Sequence, residues 1–318
     1  MKKINTVTGS VSTDQLGTTL MHEHLLIGWS GWELDCKAPR FERKSALKYS
    51  VERLKELKDL GLGTFVDPCP NDIGRDPVFM AEVADAAGVN IVCATGLYKE
   101  DLGNTPYFKQ RSIDEITEVF VTELTEGIGE TGVKAGVIKC ATGKDRISEY
   151  EDKCLRAAAR AAKVTGAPIT THTDEGTMGR EQLDLFASEG LDLSRVIIGH
   201  SCGASDLKYH TDMLDRGCYL GFDRFGLDFL HPDRLRLAAL IGLVGVGFEK
   251  QLVLSHDSVA CWKGKGLPAM DAKTAKLIEN WNPTHIFKNI LPALKKAGVS
   301  DQKVNAMMVE NPRRYFES

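Results

Sequence analysis

Eight short, mainly apolar runs recur along this chain, each separated from the next by a longer stretch. This alternation is the feature that most restricts its fold. The runs are Thr18–Leu25, Thr64–Asp67, Asn90–Thr95, Ala135–Cys140, Pro168–His172, Val196–His200, Tyr219–Phe222 and Leu252–Asp257. Most are continuously apolar rather than alternating, as parallel strands covered on both faces require. Between them lie helical patterns. Phe41–Leu60 has helical apolar spacing and stops at Gly61, while Tyr150–Val164 is alanine-rich, places Lys163 in its last turn and ends at Gly166. Ser112–Glu126, Met178–Glu189, Leu207–Arg216 and Pro232–Val246 fill further crossovers. With a closing tail of helices over Ala272–Lys296 and Asp301–Val309, the pattern predicts a (β/α)8 TIM barrel, one α/β domain over residues 1–318. A doubly wound open sheet is the competing architecture. It normally carries a glycine-rich phosphate loop after its first strand, and His-Glu-His stands there instead.

Composition narrows the function classes. A net charge of −4 and a pI near 6.1, with Lys and Arg scattered among Asp and Glu, leave no basic field for nucleic acid. No apolar run reaches the length of a membrane span, and Met1–Gly17 lacks the apolar core of a secretory signal. Eight cysteines from Cys36 to Cys261 form no CxxC pair, which fits reduced, mostly buried thiols in a cytoplasmic protein.

On a barrel of this kind the chemistry lies where the strands end. The first strand ends Met21-His22-Glu23-His24-Leu25, so His22 and His24 are expected on one side and Glu23 on the other. Alone, such a pair is a weak signal and reads more readily as two hydrogen-bonded histidines. The fifth strand, however, ends in His172, the sixth in His200 and the eighth in Ser255-His256-Asp257, where His256 and Asp257 cannot both point inward. Buried imidazoles and carboxylates are costly without a shared partner, and a metal ion supplies one. Lys139 closes the otherwise apolar fourth strand. It reads as a Schiff-base nucleophile, an ion-pair partner or a carbamate formed with carbon dioxide, and the surrounding histidines favour the carbamate.

These residues resemble the phosphotriesterase family of the amidohydrolase superfamily, most closely its phosphotriesterase-like lactonase branch. The likeness runs from Thr6-Val7-Thr8-Gly9 through the Met21–Leu25 motif, Lys139, His172, His200, Gly221–Asp228 and Ser255-His256-Asp257 to Asn311-Pro312-Arg313-Arg314. The resemblance implies two divalent metal ions, zinc first, with iron, cobalt or manganese also suited to the ligands. His22, His24 and Asp257 would hold the more buried ion, and His172 and His200 the more exposed one. N6-carboxylated Lys139 and a hydroxide would bridge them. Asp257 would move the proton, against a plainer role as ligand alone. Tyr98 and Arg224 match the lactonase branch and would face the substrate, although loop packing for one and a salt bridge to Asp223 or Asp228 for the other account for them equally well.

The expected activity is hydrolysis of lactones or carboxylic esters, with promiscuous phosphotriester cleavage, by a homodimer. An efficient organophosphate phosphotriesterase is the alternative, and a Schiff-base aldolase using Lys139 is the alternative of another class. Three loops depart from the family pattern: Ile27–Glu33 with Trp29 and Trp32, the charged Lys99–Asn104, and Ser258–Leu267 with Trp262, followed by Trp281. The tryptophans Trp29, Trp32 and Trp262 are expected either to line an apolar pocket or to pack at a surface.

Overall fold

The computed structural model describes residues 2–103 and 105–318, so the Asn104 end of the charged loop lies outside the described residues. Eight parallel strands form the barrel in chain order: β1 (Thr18–Leu20), β2 (Leu62–Asp67), β3 (Asn90–Gly96), β4 (Val137–Lys139), β5 (Ile169–Thr170), β6 (Val196–Ile198), β7 (Tyr219–Phe222) and β8 (Leu252–Leu254). Each pairs with the next, with registers such as Leu20↔Phe65, Gly96↔Lys139, Lys139↔Thr170 and Phe222↔Leu254. Between β8 and β1 the barrel closes through the residues after each strand. His22 N donates to Ser255 Oγ at 2.9 Å, Asp257 N to His22 O at 2.9 Å and His24 N to Ser258 O at 2.8 Å.

All eight expected strands exist, but four stop short of the residues that matter chemically. The first does not run to Leu25. It ends at Leu20, and His24–Ile27 forms a separate strand paired in parallel with Val259–Trp262. The fifth, sixth and eighth end before His172, His200 and Asp257. Two of these endings have a local cause: His200 at φ 58° and Asp257 at φ 55° are left-handed, a conformation that interrupts a strand and is strained for a side chain other than glycine.

Helices cover the outside at Arg43–Asp59, Pro77–Ala87, Ile113–Thr125, Glu149–Thr165, Gly179–Ser188, Leu207–Leu214 and Asp233–Gly245. Ser112 and Ser148 open two of them with capping boxes, and Gly166 at φ 74° ends the alanine-rich one. The helix Pro77–Ala87 was not singled out by the sequence reading; Asp76 caps it by accepting from Phe79 N, and Pro77 takes the first position. The expected tail differs as well. Ala272–Lys296 is broken, with helix at Ala272–Lys276 and again from Ile286 to Lys296, because Asn282-Pro283 interrupts it. The last helical stretch continues beyond Val309 to Glu317. None of the described helices is long and apolar enough to cross a membrane. All eight cysteines are free, and six of them are buried.

The core has two layers. A large one lies between strands and helices, and a smaller one fills the barrel, where Met21, Val66, Val92, Val137, Ile197 and Val253 point inward. The barrel floor is plugged by Ile4 of the hairpin Lys3–Thr6/Gly9–Ser12 and by Tyr315 and Phe316 of the final helix. Tyr315 is fully buried, its ring 5.8 Å from that of Tyr219, and its hydroxyl has no hydrogen-bond partner. A buried hydroxyl without a partner costs about 1–3 kcal/mol, whereas deleting a large buried ring costs about 3–5 kcal/mol. Tyr315→Phe should therefore be neutral or stabilising and Tyr315→Ala severely destabilising, as read by denaturant unfolding of the metal-stripped protein. Equal stability of the two variants would mean that the floor is not plugged by this ring.

Candidate metal centre

Four histidines, a lysine and an aspartate converge at the upper rim of the barrel, each held from behind. His22 Nδ1 donates to Asp223 Oδ2 at 3.2 Å, and His200 Nδ1 donates to Asp223 Oδ1 at 2.9 Å. His24 Nδ1 donates to Asp67 Oδ1 at 3.0 Å. His172 is turned the other way, with Nε2 donating to Asp174 Oδ1 at 2.6 Å and Nδ1 accepting from the Tyr98 hydroxyl at 3.2 Å. A carboxylate behind an imidazole fixes both its tautomer and its orientation, and thereby aims the other nitrogen. The inward atoms are then Nε2 of His22, His24 and His200 and Nδ1 of His172. Asp257 stands among them, 3.6 Å from His22 Nε2, 3.2 Å from His24 Nε2 and 3.7 Å from His200 Nε2. Lys139 Nζ lies 3.1 Å from His22 Nε2 and donates to Thr171 O at 3.2 Å.

The carboxylates behind the rings need space. At Gly221 a Cβ would come within 2.4 Å of Asp223 Oδ2, so the glycine two residues before this aspartate makes room for it. Asp67 uses its remaining capacity on Leu25 N at 2.8 Å and Cys69 N at 3.0 Å. His24, Asp67 and Cys69 also lie close enough together to suggest a metal trio. The hydrogen bonds of Asp67 and the buried thiol, whose pKa burial pushes well up, make it a support for His24 instead.

Electrostatics here departs from the ordinary values. Burial pulls His172 down to about 3, against the opposing pull of Asp174, and drives His200 well below the usual imidazole range, with Arg224 adding to the effect. Burial also opposes charge on His24, but the carboxylates of Asp257 and Asp67 outweigh it and push the ring up to about 9. Lys139 is brought down to about 8 by burial, which Asp257 and Asp223 only partly offset. Burial tends to raise Asp257, but the neighbouring imidazoles and the Arg224 guanidinium hold it well below the carboxylate range.

Does this donor set suit a cation? His200 Nε2 is buried and has no hydrogen-bond partner, and a donor atom of each of His22, His200 and Asp257 lies within 4.8 Å of the others. A buried acceptor facing other acceptors is unfavourable unless a positive charge joins them. Lys139 is 1 % exposed and faces an imidazole rather than a carboxylate, which disfavours a simple ion pair. The residues fit a metal centre.

Above it opens a cavity, continuous with solvent, with His24, Asp257, Arg224 and Tyr98 at its base. Trp29 and Trp262, ring centres 5.7 Å apart, form one wall. Trp281 forms another and donates Nε1 to the carbonyls of His256 and Asp257 at 3.0 and 3.1 Å. Leu227, Phe229 and Leu267 complete the apolar lining. Trp32 is not part of it, because it packs over Gly28 and Gly264.

Arg224 does not pair with Asp223 or Asp228; its Nε donates to Asp257 Oδ2 at 2.9 Å. In the departing loop, Lys99 is buried and its Nζ donates to Asp174 at 2.6 Å and Asp101 at 3.1 Å, so its charge reaches His172 through Asp174. His256 points away from the centre, as the alternation in Ser255-His256-Asp257 requires. The sequence reading did not assign Asp67, Asp174 or the true role of Asp223. Each follows or ends a strand, and that was the available signal.

Comparison with known proteins agrees with this geometry. The model of the Phosphotriesterase family matches residues 2–316. A phosphotriesterase homology protein of Mycobacterium tuberculosis is 39% identical, over 100% of this chain and 98% of its own. The organophosphorus hydrolase of Deinococcus radiodurans superimposes with a TM-score of 0.96 at 43% identity, covering 99% of this chain and 96% of that one. A variant of a phosphotriesterase-like lactonase from the same organism superimposes at 0.95 with 42% identity, covering 98% and 99%. The chain is a metal-dependent hydrolase, and it belongs to the phosphotriesterase family.

Proposed function

We propose that this protein, acting as one catalytic domain over residues 1–318, hydrolyses lactones or carboxylic esters and cleaves phosphotriesters as a secondary activity. The observation that carries the reading is the convergence of three Nε2 atoms on Asp257, with buried Lys139 against His22, beneath an apolar cavity flanked by Tyr98 and Arg224. His22, His24 and Asp257 would hold one divalent ion and His172 and His200 a second, with N6-carboxylated Lys139 shared between them. Zinc is the first expectation, and iron, cobalt and manganese suit the same donors. When bound, the ions would make water acidic enough to supply a nucleophile at neutral pH and would polarise the substrate oxygen.

The protein's own groups divide the remaining work. Arg224 holds the Asp257 carboxylate through Oδ2, which keeps it ionised and oriented to take a proton from the attacking water and return it to the leaving oxygen. Burial raises the Tyr98 phenol far above its usual range, so it stays protonated; its proton, which His172 Nδ1 accepts in this structure, would be freed to orient the substrate once an ion occupied that nitrogen. Trp29, Trp262 and Trp281 exclude water and receive the apolar part of the substrate. A lysine near 8 is reactive toward carbonyls as well as carbon dioxide, which is what favours the aldolase reading. Against it, Lys139 Nζ is engaged by His22 Nε2 and Thr171 O rather than open to the cavity. A cytoplasmic homodimer is the form this reading expects.

Three outcomes test it. The decisive one is kcat/KM of metal-replete enzyme on a long-chain acyl-homoserine lactone, an aryl carboxylic ester and a diethyl aryl phosphotriester. The lactone or the ester should lead the phosphotriester by roughly a hundredfold, about 2.7 kcal/mol of transition-state stabilisation. A comparable lead for the phosphotriester would reverse the ranking. Second, Lys139→Ala should lose metal affinity by more than the roughly 100-fold that removing an outer hydrogen-bond partner costs. A short carboxylic acid such as propionate should restore part of both metal content and rate, whereas full metal content without rescue would exclude the carbamate.

The third outcome is a pH dependence. His24 titrates about 9, above the ordinary 6.5, so below that pH an incoming ion must displace its proton. Lys139 must likewise shed its proton, at about 8, before it can take up carbon dioxide. Metal affinity should therefore rise from pH 6 to about 9 by about tenfold or more per unit and then level off. Competition titration against a chelator of known affinity would reveal this slope, and a flat profile would contradict it.

A further inference from the structure

The two halves of the site stand on opposite sides of the barrel's seam. His22 and His24 follow β1, Asp257 follows β8, and those two strands meet only through the residues beyond their ends. Glu23 lies between the two histidines, is fully buried, and points away from the centre. All of its side-chain partners belong to the β8 side. Oε1 accepts from Ser255 Oγ at 2.8 Å, His256 N at 2.9 Å and His256 Nδ1 at 2.5 Å. Oε2 accepts from Ser258 N at 3.0 Å and Ser258 Oγ at 2.5 Å.

Each of these partners is a donor. Ser255 Oγ already accepts from His22 N, so its own proton goes to Glu23. His256 Nε2 accepts from Ile286 N at 2.9 Å, so its proton sits on Nδ1. One carboxylate thus grips residues 255, 256 and 258 while its own backbone carries His22 and His24. Asp257 is fixed between gripped neighbours in its left-handed conformation.

We propose that Glu23 is a positioning residue: it staples the β1 histidines to the β8 aspartate across the seam, and thereby sets how long the ion shared by His22, His24 and Asp257 is retained. This rests on the reading that the protein holds two ions. β1 and β8 themselves are not paired, and the seam is closed by the short parallel ladder of His24–Ile27 with Val259–Trp262 and by the grip of Glu23. A ligand set split across such a seam loosens when the seam loosens, so the ion held by both sides leaves faster once the staple is weakened. The ion assigned to His172 and His200 does not depend on the seam in this way. Those residues follow β5 and β6, which lie side by side within the ladder.

Release from the zinc-loaded protein into excess metallochromic chelator separates the possibilities. Glu23→Gln keeps the shape but turns an amide NH2 toward at least two donors, and one of the two ions should then leave at least tenfold faster while the other keeps its rate. The visible spectrum of the cobalt-loaded protein should change for one ion only. Where the Gln variant does not fold, Glu23→Asp, too short to reach both groups of donors, and the milder Ser258→Ala should shift the same ion in the same direction. Phe120→Leu, a core change remote from the seam, supplies the reference for general destabilisation and should leave both release rates alone. Parental release of both ions, or equal acceleration of both, would overturn the proposal. A parent protein that holds no more than one ion would instead sink the two-ion reading itself.

Discussion

The structure depends on a concentration of buried polar groups that the protein cannot fully satisfy by itself. Four imidazoles, a lysine and several carboxylates are withdrawn from water at one end of the barrel, where charge is expensive and unpaired acceptors more so. Asp223, Asp67 and Asp174 each take one nitrogen of a ring and so leave the other nitrogen facing inward. Of the inward atoms, His200 Nε2 is left buried without a partner, a position that a cation joining it to its neighbours would relieve. The same carboxylates that complete the hydrogen bonding outside the centre create the electrostatic demand inside it.

That demand explains how the barrel is divided. Its lower part is an ordinary close-packed apolar interior, plugged by Ile4, Tyr315 and Phe316. Its upper part gives up regular strand geometry at His22, His172, His200 and Asp257, while Lys139 is aimed from within β4. β5 keeps only two ladder residues, and β6 and β8 each stop before a residue in the left-handed conformation, His200 and Asp257. Strain at those two backbones can be tolerated because the floor and the outer layer stabilise the fold independently of the site.

The sequence conveyed the repeating units well. Five of the eight strands begin at their expected residue and the other three within two residues of it, because strand identity is carried by apolar runs that a parallel barrel buries on both faces. Strand ends were less legible. Whether Met21–Leu25 continues a strand or bends toward β8 is decided by tertiary hydrogen bonds from His22 N and His24 N, which no local pattern encodes. The centre was legible as residue types at strand ends, since His22, His24, Lys139, His172, His200 and Asp257 do converge. The carboxylates behind the rings were not, because an aspartate after a strand looks the same whether it orients an imidazole or caps a turn. Arg224 shows the same limit: its nearest acidic residues in sequence were the natural partners, and the fold brought Asp257 to it instead.

The parts that departed from the family pattern turn out to differ in kind. Trp29 and Trp262 line the cavity without touching the hydrogen bonds that hold the centre, and Trp281 touches only two backbone carbonyls beside it. Changes in these walls alter which acyl or leaving group fits while leaving the ligand set in place. Lys99 is otherwise. Its ion pair is with Asp174, the carboxylate that holds His172, so the charged loop is coupled to the orientation of a ring at the centre. A substitution in the tryptophan walls should therefore act mainly through substrate fit, whereas one at Lys99 acts through the histidine as well. The two classes of loop residue stand at different distances from the chemistry.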